Sequence, residues 1–171
     1  MRSVLKGKKA RDSSSVFEGE ILLAQRTEQE IMRNWKYAAP PLVSVCSITY
    51  NHEPYIRDAL DGFLMQETDF PFEVIIHDDA STDRTAEIIR EYAEQYPKII
   101  KPIFQTENQY SKGVKISATY VWPKAQGEYI ALCEGDDYWI DELKLKKQLR
   151  YMKESTGCTI CIHNSIIINT K

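Results

Sequence analysis

Three acidic side chains follow an apolar run in the segment YIALCEGDDYW, residues 129–139. The run YIALC is typical of a buried strand, and Glu134, Asp136 and Asp137 come directly after it. Two carboxylates 4 Å apart repel each other by roughly 4 kcal/mol at an effective dielectric constant of 20. A cluster of this kind therefore predicts either protonated acids or a bound cation.

The segment EGDD at residues 134–137, here called the acidic segment, suits a hard divalent cation. Carboxylate oxygens are the ligands that Mg²⁺ and Mn²⁺ prefer. An ion held by one or two carboxylates usually completes its shell with water and substrate phosphates. Gly135 allows a sharp bend that turns the flanking acids toward one point. We therefore predict a Mg²⁺ or Mn²⁺ site whose ligand contains a diphosphate.

Two more polar clusters follow strand-like runs: TYNHE at residues 49–53 and HDDASTD at residues 77–83. Taken alone, the first is compatible with a turn and the second with capping of the next helix. The acidic segment, taken alone, is also compatible with a capping loop. His52 and His77 have no partner at ligand spacing, so we assign neither a ligand role.

The hydrophobic pattern supplies elements that could bring these clusters together, since strand-like runs alternate with segments of helical periodicity. Predicted strands cover 42–48, 72–76, 99–104, 129–133 and 158–162, and predicted helices cover 18–37, 54–66, 83–96, 113–122 and 141–153. The alternation predicts an α/β fold with a doubly wound, mostly parallel sheet, helices on both faces and an amino-terminal helix before it. The sequence AAPP at 38–41 divides a basic tail and helix, residues 1–40, from a domain at 41–171.

All three polar clusters fall at the carboxyl ends of predicted strands, where doubly wound sheets bind their ligands. Neighbouring strands lie about 4.8 Å apart, so the clusters are expected to share one crevice about 10–15 Å wide. We expect five acids to crowd there: Asp78, Asp79, Glu134, Asp136 and Asp137.

Composition excludes some functions. The 171 residues carry a formal net charge of −3, which argues against a nucleic-acid-binding protein. No apolar run approaches the ~18 residues of a membrane span, and there is no signal-peptide pattern. We expect a cytoplasmic chain, and we leave open peripheral association with the inner face of the membrane and formation of a homo-oligomer.

Three stretches in order resemble the nucleotide-binding half of family-2 glycosyltransferases, which have the Rossmann-like GT-A fold. The resemblance covers about residues 41–165 and rests on PLVSVCSITYNHEPYIRDALDGFLMQ, FEVIIHDDASTDRTAEIIREY and GEYIALCEGDDYWIDELKLKKQ. It implies that the ligand is a nucleotide sugar, with UDP as the expected nucleotide. It also implies a set of binding residues: Tyr50, Asn51, Glu53, Asp78, Asp79, Glu134 and Asp136.

Within this set the resemblance implies distinct roles. Tyr50 is expected to stack on uracil, with Asn51 and Glu53 beside it, while the acid pair at 78–79 holds base and ribose. The DxD motif of the family corresponds to residues 134–136. Either Asp136 or Asp137 is implied as the main metal ligand, and the role of Glu134, ribose or metal, stays open.

The implied reaction is transfer of a hexose-type sugar from a UDP-sugar to a saccharide or lipid-linked acceptor, with inversion, in polysaccharide or cell-envelope glycan synthesis. The family's general base lies well beyond the DxD motif, and no residue here matches it. We therefore expect a donor-binding half that binds sugar nucleotide but transfers sugar negligibly by itself. The terminal strand at 158–168 is expected to leave an apolar edge open to association, formed by Ile160, Ile162, Ile166 and Ile168.

Two other functions are weighed against this one. A non-catalytic nucleotide-binding remnant is compatible with the missing base. A Mg²⁺-dependent haloacid-dehalogenase-like phosphatase is superficially compatible with the DxAxT pattern at 78–82 and the Gly-Asp pair at 135–136. A dinucleotide-dependent oxidoreductase is disfavoured, because no GxGxxG follows a predicted strand.

Overall fold

A four-stranded parallel sheet organises residues 26–167, the part of the chain that the computed structural model describes. Its strands are β1 (Val43–Thr49), β2 (Phe72–Asp78), β3 (Ile100–Phe104) and β4 (Tyr129–Leu132). They lie in the order β3-β2-β1-β4, and every neighbouring pair is parallel. The chain moves outward from β1 to β3 and then returns to the other side of β1, so strand order reverses between β1 and β4. The predicted α/β fold is confirmed.

Helices cover the two faces of the sheet unequally. The α-helices are α1 (Glu28–Met32), α2 (Ile56–Leu64), α3 (Thr85–Gln95) and α4 (Lys144–Glu154). All four contribute to the main hydrophobic core on one face of the sheet. The opposite face carries a smaller core, built around Cys46, Ile75, Ile116 and Val121.

The helix predicted at 113–122 is replaced by three short turns. They are a 3₁₀ turn at Tyr110–Lys112, a π-helical turn at Ser117–Val121 and a 3₁₀ turn at Trp122–Lys124. Gly113, with a φ of 77°, ends the first turn in the left-handed region, and Pro123 lacks the N–H that a longer helix would need. The prediction of one regular helix here was wrong.

The amino-terminal helix is short but firmly attached. α1 begins with a capping box between Thr27 and Glu30. Its Glu28 carboxylate accepts hydrogen bonds from the N–H groups of Lys98 and Ile99, at 2.6 and 3.2 Å. Ile31 belongs to the main core. The part of the predicted helix before residue 26, and the basic tail, lie outside the described residues. The domain division at residue 40 stays a prediction.

The strand predicted at 158–162 is not observed, and residues 158–167 contain no regular element. The segment has the apolar residues of a strand, but Ile160 and Ile162 are 78% and 86% exposed. β4 forms the nearest sheet edge, yet this segment makes no ladder with it. A strand requires a main-chain partner as well as a pattern. Residue 168, the end of the predicted apolar edge, lies outside the described residues.

Within residues 26–167, no helix is long and apolar enough to cross a membrane.

Candidate functional site

The three polar clusters lie on three neighbouring strands at one edge of the sheet. β1 lies between β2 and β4, and Thr49 at its end pairs with Asp78. Main-chain bonds continue past the strand ends: the Asp79 N–H donates to the Thr49 carbonyl at 3.0 Å, and the Gly135 N–H donates to the Ile48 carbonyl at 3.0 Å. The clusters therefore come together beside the point where strand order reverses, as the sequence predicts.

Asn51 joins the first cluster to the second. It adopts a left-handed conformation, with φ 55°, which asparagine tolerates better than most residues. Its N–H donates to Ser81 Oγ at 2.9 Å, and its Oδ1 accepts from the Thr82 N–H at 2.8 Å. Asn51 thus links the two loops through both its main chain and its side chain.

Glu53 makes a second link between the same two loops. Its N–H donates to Asp83 Oδ2 at 3.0 Å, and its Oε2 accepts from the Arg84 N–H at 3.1 Å. Arg84 is the N-cap of α3, and its N–H has no partner within that helix. Glu53 therefore helps to cap α3, a role that the sequence analysis did not assign to it.

Ala80 has a left-handed backbone, with φ 61°, in the loop between the acid pair and α3. This region is unfavourable for alanine and accessible to glycine. We expect Ala80→Gly to raise the free energy of unfolding by about 1 kcal/mol. Urea unfolding measures this change. The matched control is Ala93→Gly within α3, which is expected to lower stability by about 1 kcal/mol. A loss of stability in both variants would contradict the prediction.

The acid pair at 78–79 is turned into the protein. Asp78 and Asp79 are 2% and 4% exposed. Asp79 accepts the N–H groups of Gln109 and Tyr110 at 2.9 Å each, so it holds the loop after β3. Asp78 Oδ2 accepts the Ser81 N–H at 3.2 Å, whereas its Oδ1 is buried without a hydrogen-bond partner. Each carboxylate oxygen offers two acceptor sites, so both acids keep acceptor capacity.

His77 contacts the loop after β3, in part through Tyr120. Its ring is fully buried and stacks on Tyr120, with centroids 5.4 Å apart. The Tyr120 hydroxyl donates to Gln109 Oε1 at 3.3 Å. Burial lowers the pKa of His77, although the nearby Asp79 and Asp78 act in the opposite direction. The neutral ring therefore serves as a packing element.

The acidic segment approaches β1 very closely. A Cβ on Gly135 would lie 2.7 Å from Thr49 Cβ, 2.8 Å from Thr49 Oγ1 and 3.1 Å from His52 Nδ1. Gly135 does not have a positive φ, so the glycine is needed for this close approach rather than for a left-handed bend. The contact brings Asp136 Oδ2 to 3.8 Å from His52 Nε2.

The expected crowding of five acids was wrong. Within residues 26–167, no three His, Cys, Asp or Glu side chains converge on one point at which they could together hold a metal ion. Asp78 and Asp79 face main-chain N–H groups, as described above, whereas Glu134, Asp136 and Asp137 are exposed. Burial raises the pKa of the neighbouring Cys133 thiol to about 12, so this thiol stays protonated.

α2 and the residues directly after it contact the chain that follows the acidic segment. A Cβ on Gly62 would lie 2.9 Å from the Trp139 main-chain nitrogen. The buried Gln66 donates through Nε2 to the Asp141 carbonyl at 2.9 Å and accepts the Leu145 N–H at 3.1 Å through Oε1. Gln66 lies just beyond the end of α2, and a glutamine at a helix end gives no local signal in the sequence for a distant main-chain contact.

A separate groove of about 590 Å³ lies along the outer edge of β4, between α4 and residues 159–163. Ile130 and Leu132 line it and are 48% and 62% exposed. His163 lines it too, and is therefore not with the three polar clusters. None of the predicted binding residues lines this groove, so we do not place the nucleotide there.

The family model named Glycosyl transferase family 2 matches residues 44–171. The chain belongs to this family. It is 54% identical over 121 residues to an uncharacterized protein of Mycobacterium tuberculosis, covering 71% of this chain and 34% of that protein. It is 38% identical over 123 residues to TuaG of Bacillus subtilis, a proposed teichuronic acid biosynthesis glycosyltransferase, covering 72% of this chain and 45% of TuaG. The family-2 chain thus spans less than half the length of these relatives.

Solved structures agree with the family assignment. Residues 1–349 of Staphylococcus aureus TarS, in complex with UDP-GlcNAc, match with a TM-score of 0.55 and 29% identity over 70% of this family-2 chain and 37% of that chain. The mannosyltransferase PcManGT of Pyrobaculum calidifontis, in complex with GDP-Man and Mn²⁺, matches with a TM-score of 0.56 and 27% identity over 73% and 38%. The fold is therefore the GT-A, Rossmann-like α/β fold.

Proposed function

We propose that this chain supplies the nucleotide-sugar site of a glycosyltransferase. The enzyme transfers a hexose-type sugar from a UDP-sugar to a saccharide or lipid-linked acceptor with inversion, in polysaccharide or cell-envelope glycan synthesis. The observation that carries the proposal is the strand order β2-β1-β4, which gathers three polar clusters beside the reversal of strand order. The UDP-GlcNAc complex of TarS supports the choice of UDP, and the similarity to TuaG, a proposed teichuronic acid biosynthesis glycosyltransferase, supports a cell-envelope glycan.

Tyr50 is the proposed platform for the base. It is 43% exposed and lies between Thr49, which ends β1, and Asn51, which is bonded to the second loop. Both neighbours are fixed, so the ring offers a stacking face at little entropic cost. Asn51 and Glu53 are proposed to border the base while they hold the loops.

The acid pair is proposed to contact base and ribose through its remaining acceptor capacity. Asp78 Oδ1 has no hydrogen-bond partner among the described residues, and Asp79 has lone pairs beyond the two that bind Gln109 and Tyr110. Uracil presents an N–H at the position where cytosine has none. An acceptor-only carboxylate facing cytosine would lose its hydrogen bond, so the pair favours UDP over CDP.

The donor set of the acidic segment fits a divalent cation. Asp136 and Asp137 are adjacent, exposed carboxylates, and two carboxylates with water and a diphosphate make an ordinary Mg²⁺ or Mn²⁺ shell. The lack of a third side chain is compatible with this chemistry. When bound, the cation would neutralise charge on the departing nucleoside diphosphate. Glu134 is proposed to face ribose or the cation, and these alternatives stay open.

The proposal is tested by titration calorimetry with UDP, CDP and GDP, in Mn²⁺ and in EDTA. UDP is expected to bind at least tenfold more tightly than CDP, and more tightly in Mn²⁺ than in EDTA. GDP is included because PcManGT was solved with GDP-Man. Equal binding of UDP and CDP would overturn the uracil assignment. Tighter binding of GDP would change the donor class.

Tyr50→Ala is expected to weaken UDP binding about 5- to 150-fold, because base stacking on an aromatic ring contributes about 1–3 kcal/mol. Tyr50→Phe keeps the ring and is expected to bind like the parent protein. Tyr151→Ala is a matched control, since Tyr151 is 60% exposed on α4. The same calorimetric titration measures all three. Normal UDP affinity in Tyr50→Ala would place the base elsewhere.

A further inference from the structure

His52 belongs to the loop after β1, and its ring lies beside the acidic segment. Its main chain is held by hydrogen bonds. Its N–H donates to Thr85 Oγ1 at 2.9 Å, and its carbonyl accepts from the N–H groups of Tyr55 and Ile56 at 2.9 Å each. Both polar main-chain groups of this residue therefore have partners. The ring can change its position only by rotation about the side-chain bonds.

One nitrogen of the ring faces the acidic segment. His52 Nε2 lies 3.8 Å from Asp136 Oδ2, and the two side chains are 22% and 47% exposed. This distance exceeds that of a formed hydrogen bond, about 2.7–3.2 Å. A movement of about 1 Å would form the bond. Hydrogen bonds in ligand-free sites are often long and shorten when the ligand binds.

The other ring nitrogen lacks a partner, and so does a hydroxyl near it. His52 Nδ1 and Thr49 Oγ1 are both buried, and neither has a hydrogen-bond partner among the described residues. Both lie beside Gly135, where a Cβ would be 3.1 Å from Nδ1 and 2.8 Å from Oγ1, so the two atoms are within about 6 Å of each other. A hydroxyl that donates to Nδ1 places the imidazole proton on Nε2, the nitrogen that faces Asp136.

Buried polar atoms without partners are uncommon and call for an explanation. Here the main chain of His52 is fully bonded, while Nε2 lies 3.8 Å from Asp136 Oδ2 and Nδ1 lies within about 6 Å of Thr49 Oγ1. The ring is therefore held close to a hydrogen-bonded arrangement that is not yet formed.

We propose that His52 is a positioning residue that orients the Asp136 carboxylate, with Thr49 selecting the ring tautomer. The inference rests on the proposed function, in which Asp136 holds a divalent cation together with the diphosphate. A donor fixed behind a metal-binding carboxylate restricts its rotation, and loss of such a partner typically costs 10- to 100-fold in metal affinity. Residue 52 thereby couples the first polar cluster to the third.

The test compares the UDP affinity of full-chain variants in Mn²⁺ with their UDP affinity in EDTA. His52→Phe keeps the ring shape without nitrogen, His52→Gln places an amide nitrogen near the position of Nε2, and Thr49→Val removes the hydroxyl while keeping the branched shape. UDP affinity is measured by calorimetry in Mn²⁺ and in EDTA, and thermal unfolding checks the fold. His163→Phe is the matched control, because His163 is exposed and lies in the separate groove.

His52→Phe is expected to reduce UDP affinity in Mn²⁺ by 10- to 100-fold and to leave affinity in EDTA unchanged. His52→Gln is expected to recover most of the loss, and Thr49→Val to show a smaller loss in Mn²⁺ alone. Parent-like affinity in Mn²⁺ for both His52→Phe and Thr49→Val would overturn the inference. So would an equal loss in Mn²⁺ and EDTA, which indicates a structural role. If the parent protein showed no Mn²⁺ effect, the proposed cation site would fail and the inference with it.

Discussion

Replacement of Asp136 and Asp137 by asparagine together is expected to abolish the gain in UDP affinity that Mn²⁺ gives the parent protein, a loss of about 100-fold or more. Both side chains are exposed, so the substitutions leave the core intact. Asparagine keeps the size of the side chain and one oxygen but removes its charge. Loss of the hydrogen-bond partner of a metal ligand alone typically costs 10- to 100-fold in metal affinity, and loss of the charged ligands themselves is expected to cost at least as much.

The readout is the ratio of UDP affinity in Mn²⁺ to that in EDTA, measured by calorimetry. Glu94→Gln provides a control, because Glu94 is exposed in α3 and this change removes one charge far from the three polar clusters. Single substitutions at 136 and 137 then identify the main ligand. A double variant that keeps the Mn²⁺ effect would show that these aspartates do not hold the cation.

The sequence predicted that the three polar clusters lie at one edge of the sheet because strand ends are encoded locally. The run before Thr49 and the run before Asp78 are apolar, and each gives way to turn-forming and polar residues where the strand ends. Alternation with helical segments then implies parallel strands, whose carboxyl ends share one edge. The order of the strands adds only that β4 returns to lie beside β1.

The orientation of the acids could not be predicted in the same way. Asp79 and Asp136 both follow apolar strands, yet one is buried against two main-chain N–H groups and the other is exposed. The difference depends on the loop after β3, which supplies those N–H groups from about 30 residues away. A local pattern carries no information about such a partner. The same reason explains why His52 showed no ligand spacing in the sequence.

Periodicity alone also misled at two places. Residues 113–122 have helical spacing. However, Gly113 adopts a left-handed conformation at one end, and Pro123 lacks a main-chain N–H at the other. Residues 158–162 have the composition of a strand, but among the described residues none pairs with them in a sheet. Both segments have the apolar spacing or composition of the predicted element, but they lack the main-chain hydrogen bonds that the element requires.

Gln66 is expected to make a large contribution to stability. It is 1% exposed, and its amide satisfies the Asp141 carbonyl and the Leu145 N–H where the acidic segment enters α4. Gln66→Leu keeps the approximate volume of the side chain but leaves the buried Leu145 N–H without this partner, whereas the Asp141 carbonyl still accepts the Lys144 N–H at 3.1 Å. An unsatisfied buried group costs about 1–3 kcal/mol, so we expect the free energy of unfolding to fall by about 1–3 kcal/mol.

Urea unfolding measures this loss, with Gln95→Leu as the matched control because Gln95 is exposed at the end of α3. The control is expected to change stability by less than about 0.5 kcal/mol. Gln66 also fixes the segment that carries Asp136, so the folded variant is expected to lose part of the Mn²⁺ effect on UDP affinity. A Gln66→Leu protein as stable as the control would show that the Leu145 N–H finds water or another partner when the amide is absent.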